Sequence, residues 1–405
     1  MSDTLQIVQI GDLIQTKNDK SKQLQSSDYL GNGILPIVDQ GAKAVCGYTN
    51  DLSKRYDKGL PLIIFGDHTL HTKFIDFDFA IGADGTQVLA PKNQECNAKY
   101  LYYLISRAAE LIGSEGYKRH FKILKEYDVE YIVPLPKQKK IAAILSSVDE
   151  VIEKTRAQID KLKDLKTGMM QELLTKGIGH TEFKDSPVGR IPARWEVVEL
   201  GKVLTGIDSG WSPNCHDRRP GTGEWGVLKV SSVTRGEFLE DEAKLLPKNL
   251  SVREKLLVHK GDILLTRANG VAALVGKCVI VNKEPQAKLM MSDKILRLRP
   301  SDKISKEFLL HVFNSYSTRK QIELCWGGSS GQKNISQSDI KDFYIPLPSI
   351  SEQIAIAKTI TQASQVLYDK NNKLAKLISA KKALMQDLLT GKVRVQVDAP
   401  EVAEA

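Results

Sequence analysis

The sequence contains few groups of side chains that could bind a metal ion. His68 and His71 are spaced so that both imidazoles could reach one ion, and Cys215 directly precedes His216. A protein zinc site normally needs three or four such ligands, and neither pair is accompanied by a third in the nearby sequence. We therefore expect no metal site in this chain.

Sequence motifs of nucleotide binding and catalysis are also missing. The stretch nearest to a G-x-x-x-x-G-K-[ST] phosphate loop, residues 270–278, has an extra residue between its glycines and ends in Cys278 instead of Ser or Thr. Residues 79–85 lack the G-x-G-x-x-G spacing, which favours a plain turn. The chain has neither the Pro-Pro of a DNA amino-methyltransferase loop nor the Pro-Asp of a common nuclease motif. These absences predict a protein without catalytic residues or a cofactor of its own.

Several loops instead carry the donor and acceptor groups that recognise the edges of bases in a DNA groove. An arginine can pair with guanine and an amide with adenine, while lysines contact phosphates. The candidate DNA-binding residues are Lys43, His68, Thr69, Lys118, Arg119, His120, Ser209, Trp211, Arg218, Arg219, Lys229, Ser231, Arg267, Asn269, Ser329, Ser330, Gln332 and Lys333. The alternative for each loop is an ordinary solvated turn, and Trp211 would equally suit a small apolar core.

The composition agrees with a partner of negative charge. The 405 residues include 58 Lys and Arg against 49 Asp and Glu, a formal net charge of +9, and such an excess suits nucleic acid. No apolar run approaches the roughly 20 residues of a membrane helix. The five cysteines are far apart, and the first residues lack the features of a secretory signal. We expect a cytoplasmic protein that does not bind a membrane.

An internal repeat organises the chain. Asp128 to Pro136, which ends in Pro-Leu-Pro, is echoed by Asp339 to Pro348, which ends in the same three residues. About 35 residues further on, Met170-Gln171-Glu172-Leu173-Leu174-Thr175 is echoed by Met385-Gln386-Asp387-Leu388-Leu389-Thr390. Weaker matches precede each Pro-Leu-Pro, including the glycine-rich loops that begin at Gly113 and Gly328. The order is a globular unit, Pro-Leu-Pro and a long segment, repeated once.

Each long segment has the heptad pattern of a helix that packs on another helix. The seam residues are Ile152, Ile159, Leu162, Lys166, Met169 and Leu173 in the first copy, and Leu374, Leu377, Lys381, Leu384 and Leu388 in the second. Because one narrow apolar stripe buries little by itself, the two helices are predicted to pack on each other. The polar seam residues Lys166, Lys381 and Asn371 either fix the register or extend out of the seam towards water.

The globular units have short β-rich runs separated by Gly, Asn, Asp and Pro, with one helical stretch each, residues 98–111 and 306–324. This pattern predicts an α+β protein with two globular domains in tandem, each a twisted sheet with helices on one side. Residues 177–192 have the composition of a linker. The predicted divisions are residues 1–136 (domain 1), 137–178 (first long helix), 179–348 (domain 2), 349–392 (second long helix) and 393–405 (a disordered tail).

Two α+β units, each closed by Pro-Leu-Pro and a long helix ending in M-Q-[ED]-L-L-T, resemble the specificity subunit of a type I restriction–modification system. Residues 186–196 also resemble the start of that family's second unit, so the resemblance covers essentially the whole chain. It implies two target recognition domains that each bind one half of a bipartite, asymmetric DNA target. They would be joined by the two helices, which would pair as an antiparallel coiled coil and set the distance between the half-sites. It also implies two methyltransferase (M) subunits that use S-adenosylmethionine to methylate adenine, and restriction (R) subunits that use ATP and Mg²⁺.

Three other interpretations remain open from the sequence. A DNA-binding regulator or architectural protein that works alone would explain the charge and the repeat, but it should bind DNA tightly without partners. An enzyme with an unrecognised site should show activity as an isolated chain. A coiled-coil scaffold without nucleic acid should show no salt-dependent association with DNA.

Overall fold

A computed structural model describes residues 5–113, 119–326 and 333–397 of the chain. The chain divides into two compact units. Unit 1 comprises Met1–Ala157 together with Asn371–Ala405, and unit 2 comprises Gln158–Lys370. Each unit therefore combines one globular region with a part of each of the two long helices.

The helices confirm the predicted alternation of globular regions and long helical segments. In the described residues they are α1 (Ile10–Leu13), α2 (Ala98–Ile112), α3 (Phe121–Glu126), α4 (Leu135–Lys176), α5 (Ser231–Thr234), α6 (Lys306–Phe313), α7 (Tyr316–Leu324), α8 (Gln337–Asp342) and α9 (Ile350–Leu389). The long helix α4 begins within the first Pro-Leu-Pro sequence, and α9 begins two residues after the second.

Unit 1 contains a four-stranded sheet in the order β2-β8-β5-β6, a three-stranded sheet in the order β4-β3-β7 and the pair β1-β9. Its strands are β1 (Leu5–Gln9), β2 (Ile14–Thr16), β3 (Leu35–Val38), β4 (Gly47–Thr49), β5 (Leu62–Gly66), β6 (Thr72–Ile75), β7 (Ala80–Ile81), β8 (Thr86–Pro91) and β9 (Asp128–Ile132). Strand β5 is buried along its whole length because it is apolar throughout and lies between two strands.

Unit 2 repeats this arrangement with a four-stranded sheet β13-β20-β16-β18, a three-stranded sheet β15-β14-β19 and the pair β12-β22. Two further short pairs, β10-β11 and β17-β21, are added. The strands are β10 (Phe183–Lys184), β11 (Ile191–Pro192), β12 (Glu196–Glu199), β13 (Leu204–Ser209), β14 (Trp225–Leu228), β15 (Ala243–Leu245), β16 (Ile263–Thr266), β17 (Ala268–Asn269), β18 (Cys278–Ile280), β19 (Lys288–Met290), β20 (Ile295–Pro300), β21 (Lys333–Asn334) and β22 (Tyr344–Leu347).

The strand registers give a residue-by-residue correspondence between the two four-stranded sheets. Ile63 of β5 pairs with Leu89, and Ile263 of β16 pairs with Leu298. Leu89 and Leu298 each lie two residues before a proline. Pro91 pairs with strand β2, and Pro300 pairs with strand β13. Ile63 therefore corresponds to Ile263, and positions further along the two strands correspond in order. The duplicated α+β architecture predicted from the repeat is confirmed.

Three local details differ from the prediction. Each unit has two main sheets instead of one. The predicted helix over residues 306–324 is two helices, α6 and α7. The chain leaves the helical conformation at Ser315, whose hydroxyl caps α7 by accepting a hydrogen bond from Thr318 N. Residues 177–192 are more than a linker, since β10 and β11 pair within them and Ile191 is buried.

In unit 1, the beginning of α4 packs against the end of α9. Ile141 and Leu145 share one hydrophobic core with Met385 and Leu388, and helix α2 supplies Tyr103 to the same core. Ile152 is also buried, whereas Leu374, Leu377, Lys381 and Leu384 of the seam are partly buried. Since the start of one helix contacts the end of the other, the two run antiparallel.

In unit 2, the end of α4 packs against the beginning of α9. Leu174 and the partly buried Met170 and Leu173 join a core that contains Ile356 and Ile360. Ile159 is buried, and Leu162, Lys166 and Met169 are partly buried. The pairing is again antiparallel, which confirms the predicted packing of the two long helices.

A buried glutamine ties each long helix to its globular region. Gln138 accepts from Asn97 N through Oε1 (2.8 Å) and donates through Nε2 to Ile132 O (2.9 Å). In unit 2, Gln353 accepts from Ser305 N (2.9 Å) and donates to Pro348 O (2.9 Å). Asn97 and Ser305 cap α2 and α6, so each glutamine joins the start of a long helix to the start of a short one. Both glutamines have an exposed fraction of zero, and this connection fixes the direction in which each long helix leaves its unit.

No helix among the residues that the structure describes is long and apolar enough to cross a membrane.

Candidate nucleic-acid interface

One edge of the four-stranded sheet of unit 2 collects several of the predicted loops. Strand β13 ends there at Ser209, β16 ends at Thr266, and β20 begins at Ile295, with Ser209 opposite Leu296 and Thr266 opposite Ile295. Because these strands are antiparallel neighbours, the loops after β13 and β16 and the loop before β20 must lie side by side. Ser209 is also linked to helix α8, because Gln337 Nε2 donates a 2.6 Å hydrogen bond to the Ser209 hydroxyl.

Arg267 has a central position at this edge. Its backbone N donates to Lys294 O and its backbone O accepts from Ile335 N, each at 2.9 Å. The short pair β17-β21 then places Ala268 opposite Asn334. The segment after β16 is thus brought together with Lys333 and Asn334, and the backbone of Arg267 is held from both sides.

The side chain of Arg267 is oriented by a neutral partner. Its Nε donates to Asn334 Oδ1 at 3.2 Å, and Arg267 makes no ion pair with a carboxylate of the described residues. Other arginines of unit 2, in contrast, form ion pairs with carboxylates. Arg297 is bonded to both Asp208 and Asp262, and Arg299 to Asp208. Arg267 therefore keeps its positive charge uncompensated at the sheet edge.

Further cations surround this position. Lys294 and Lys333 lie in segments that are hydrogen-bonded to the segment of Arg267, and Lys277 O accepts from Thr266 N at 2.8 Å. Burial lowers the pKa of Lys277, and the nearby Arg319 lowers it further. The carboxylate Asp293, at the same edge, accepts a hydrogen bond from the Ser212 hydroxyl. The excess of positive charge suits the phosphates of a nucleic acid.

Unit 1 has the same backbone arrangement at the equivalent edge. Asp67 follows β5 as Arg267 follows β16, its N donates to Gly85 O, and its O accepts from His120 N, each at 2.8 Å. His120 therefore corresponds to Ile335, and Arg119 corresponds to Asn334. The two predicted loops of unit 1, which contain His68 and Arg119, are joined just as their counterparts in unit 2 are.

The side chains at these equivalent places are different. Asp67 is 5% exposed and turns inward, where its Oδ1 accepts from Phe121 N at 2.8 Å. Arg119 is exposed instead. Unit 1 thus presents an arginine from the second of its two joined loops, whereas unit 2 presents an arginine from the first.

A polar cavity of about 360 Å³ lies beside Arg119 in unit 1. Amide side chains line it: Asn18 Nδ2 donates to Gln87 Oε1 (2.7 Å), and Gln23 Nε2 donates to Asp84 Oδ1 (3.2 Å). Asp19 also lines it, and hydrogen bonds from Ser21 and then Lys58 lower the pKa of this carboxyl to about 2. The surface is therefore richer in amides and carboxylates than the arginine and lysine edge of unit 2.

The structure places the other unit 1 candidates as follows. Lys43 is exposed in the loop between β3 and β4. His68 lines the polar cavity, and its N donates to Gln40 Oε1 at 3.1 Å. The Thr69 hydroxyl donates to Gln40 O, which holds this loop. His120 is 1% exposed and its Nδ1 lies 3.0 Å from Asp67 O, so it supports the loop from inside and is not placed to touch a base, contrary to our expectation.

Trp211 is partly buried and fits the alternative interpretation of a core residue. It packs against the apolar cluster of Val227, Leu246 and Met290. The guanidinium of Arg253 lies 4.0 Å from the centre of its ring. The indole thus contacts both an apolar cluster and a guanidinium.

The remaining candidates of unit 2 lie around the three-stranded sheet or near Arg267. Arg218 donates to both carboxylate oxygens of Glu224 (3.0 and 2.8 Å), which lowers the pKa of Glu224 to about 2. Arg219 pairs with Asp241. The Ser231 hydroxyl donates to Glu242 Oε2 at 2.7 Å, and Lys229 N donates to Glu242 O.

Near Arg267, Asn269 accepts from Val271 N at 2.9 Å and so shapes the turn after β17, and Lys333 is partly buried in β21. Lys118, Ser329, Ser330 and Gln332 lie outside the described residues. No group of three or more His, Cys, Asp or Glu that could hold a metal ion occurs in the part of the chain that the structure describes.

Several residues that shape these edges do not stand out in the sequence. Gln40 and Asn334 lie outside any recognisable motif, but both hold predicted loop residues through side-chain hydrogen bonds. The sequence did contain a signal for Asp67, because matching β5 with β16 in the repeat makes Asp67 the counterpart of Arg267. Only the strand registers make that alignment certain, since the loops differ in length.

Comparisons with known proteins agree with this architecture. The family model of the type I restriction modification DNA specificity domain matches the chain twice, over residues 2–164 and 192–379. The chain is 31% identical over 322 residues to the type I restriction enzyme MjaVIII specificity subunit of Methanocaldococcus jannaschii, which covers 76% of this chain and 73% of that protein.

Two solved structures have a similar fold. The crystal structure of the S subunit of a type I restriction–modification system from M. genitalium aligns with a TM-score of 0.61 at 15% identity, over 96% of each chain. A chain from a structure that addresses the structural basis of complex assembly and conformational transition of the type I R-M system aligns with a TM-score of 0.55 at 16% identity, over 96% of this chain and 98% of that one. With its two matched domains, two sheet edges of like topology and paired long helices, this chain belongs to the family of type I restriction–modification DNA specificity proteins.

Proposed function

We propose that this chain is the non-catalytic DNA-recognition subunit of a type I restriction–modification complex, in which each globular unit recognises one half of a bipartite target. The observation that carries this proposal is the sheet edge that occurs in both units with the same backbone hydrogen bonds but different side chains. Duplicated backbone geometry provides two similar binding modules. Unlike residues at equivalent places, such as Asp67 and Arg267, make the two half-sites unlike.

The paired long helices have a mechanical role in this proposal. They are antiparallel in each unit, and the buried Gln138 and Gln353 hold each helix to its globular region. A fixed connection of this kind imposes a fixed half-site separation, as the geometry of a dimer does in simpler DNA-binding proteins. The length of the target's central spacer would then follow from the helices and not from the loops.

Partner subunits would supply the chemistry. Two methyltransferase subunits, which dock on the helical faces and use S-adenosylmethionine, would methylate adenine in each half-site. Restriction subunits, which use ATP and Mg²⁺, would join them to cut unmodified DNA in the cytoplasm. The contribution of this chain would be to choose the sequence and to hold its partners on it. The net charge of +9 supports a DNA partner.

The test is to tag the chain, purify it with the products of neighbouring genes and map methylated adenines on host DNA. We expect a bipartite, asymmetric motif methylated in both halves and lost when the gene is deleted. Replacing residues 5–132 with those of a relative of different specificity should change only one half-site, because the helical seam stays intact. A chain that purifies alone, binds DNA tightly and leaves methylation unchanged would instead be a stand-alone regulator.

A further inference from the structure

We infer that Arg267 recognises a guanine in the half-site bound by unit 2, and that Asn334 positions its guanidinium for this contact. This inference rests on the proposed function, to which it adds a base and the residues responsible. It follows from how Arg267 is held and from which of its donors remain available.

The backbone of Arg267 is fixed before any DNA is bound. Its N and O are hydrogen-bonded to Lys294 and Ile335, and its neighbours Thr266 and Ala268 are 0% and 9% exposed. The side chain of Arg267 thus leaves the sheet edge from a rigid base, between two buried residues. A rigid starting point reduces the entropy lost when a long side chain is ordered on a base.

The hydrogen bond to Asn334 uses only one donor of the guanidinium. Nε donates to Asn334 Oδ1 at 3.2 Å, whereas both Nη groups of Arg267 are free of carboxylates in the described residues. These groups form a planar fork that matches O6 and N7 of guanine in the major groove. Asn334 is neutral, so it fixes the plane of the fork without cancelling its charge.

The neighbouring cations are better suited to a different role. Lys294 and Lys333 carry compact charges on flexible stems and suit phosphate contacts, which position a protein on DNA without selecting a sequence. Arg218 and Arg219, which also belong to unit 2, are each paired with a carboxylate and would have to give up that partner to bind a base. Arg267 needs no such exchange.

The experiment uses the full chain purified with its partner subunits and a duplex that carries its mapped target. The guanines of the unit 2 half-site are replaced one at a time by 7-deazaguanine, which lacks the N7 acceptor, and the affinity is measured for the unaltered chain and for Arg267→Ala. At one position the unaltered chain should lose affinity, but by less than the roughly 5- to 150-fold of a complete bidentate base contact, because O6 can still accept, and Arg267→Ala should show no further loss there. The half-site of unit 1 should be selected as before.

Three further variants and a measurement of thermal unfolding separate base recognition from a phosphate contact and from misfolding. Arg267→Lys keeps the charge but lacks the fork, so it should bind unrelated DNA normally and still lose the guanine preference. Asn334→Ala should reduce that preference to a smaller extent. Arg194→Ala removes an exposed arginine of unit 2 away from this edge and should change neither selection nor affinity. Unchanged thermal unfolding of the variants would exclude a loss of fold.

The inference is overturned if the unit 2 half-site contains no guanine, or if Arg267→Ala weakens binding to all sequences equally. It is also overturned if Arg267→Lys retains the full preference. In each of these cases the bipartite target, and with it the proposed function, would stand. If the unaltered complex selects no bipartite target at all, the proposed function fails and the inference fails with it.

Discussion

Lys381 of α9 and Asp149 of α4 form an ion pair in unit 1, with 2.7 Å between Nζ and Oδ1. The other oxygen of Asp149 accepts from the Tyr103 hydroxyl at 2.8 Å, so three elements meet at one polar point of the helical seam. In the repeat, Lys381, Asp149 and Tyr103 correspond to Lys166, Ser364 and His311 of unit 2. The second copy thus has a serine where the first has the carboxylate, and burial lowers the pKa of its lysine.

Ser364→Asp should therefore stabilise unit 2. The new carboxylate would lie where Asp149 lies in unit 1 and could pair with Lys166, which forms no ion pair among the described residues. We expect a gain of about 1 kcal/mol in the free energy of unfolding, measured by urea denaturation, since the pair would be only partly buried. Ser364→Asn, of similar size but uncharged, is the control and should give no gain.

Asp149→Ser makes the reverse change and should destabilise unit 1 by about 1–3 kcal/mol, because the half-buried Lys381 loses its counter-charge and Tyr103 loses its acceptor. The midpoint of thermal unfolding measures this. An unchanged midpoint would mean that the ion pair adds nothing to the seam.

His311 should make the chain sensitive to acid. Burial, and then the charge of Lys166, lower the pKa of His311 from 6.5 to about 4. As the pH falls below 6.5, the unfolded chain binds this proton before the folded chain does, so stability is lost between pH 6.5 and pH 4 and is fully present above that window. The loss is at most about 3 kcal/mol, at 1.36 kcal/mol for each pKa unit.

The measurement for His311 is the free energy of unfolding at several pH values between 7 and 4. His311→Gln should lose less stability over this window than the unaltered chain does, because Gln takes up no proton. His216→Gln, at an exposed histidine, should behave like the unaltered chain. Equal acid sensitivity of all three chains would contradict the role of His311.

Glu352→Ala should destabilise unit 2 at the end of α4. Glu352 accepts from Ile178 N (3.0 Å), His180 Nε2 (2.8 Å) and Trp195 Nε1 (2.9 Å), and Trp195 is 1% exposed. Removal of the carboxylate leaves the buried indole N–H without an acceptor, which costs about 1–3 kcal/mol. Thermal unfolding measures the loss, and Glu182→Ala, at an exposed position of the same unit, should leave the midpoint unchanged.

Arg119→Ala should change only the half-site that unit 1 recognises. Arg119 is the exposed arginine beside the polar cavity of that unit, in the place that corresponds to Asn334. Methylation mapping should show a relaxed preference at one base of that half-site and an unchanged second half-site. Lys122→Ala removes an exposed cation three residues away on α3 and should leave the motif as it is. A motif altered in both halves would show that Arg119 acts through the fold.

The sequence was sufficient to predict the α+β repeat and the paired helices, because a heptad seam and two repeated motifs depend on residue type alone. Gln138 and Gln353 escaped notice because they lie two residues after Pro136 and five after Pro348, so their equivalence appears only when both occupy the start of a helix. The burial of His120 and the different roles of Asp67 and Arg267 depend on strand register and on backbone hydrogen bonds. Neither can be derived from the composition of a loop.

The division of the chain between the two units bears on the order of events during synthesis. Ile141 and Leu145 are covered by Met385, Leu388 and Leu389, which follow them in the chain by more than 200 residues. Unit 2 is contiguous and can finish folding on the ribosome once Lys370 has emerged. Unit 1 begins first but has to wait with an uncovered apolar helix until the end of α9 has been made. This interval would give a chaperone, or an assembling partner, access to that helix before unit 1 closes.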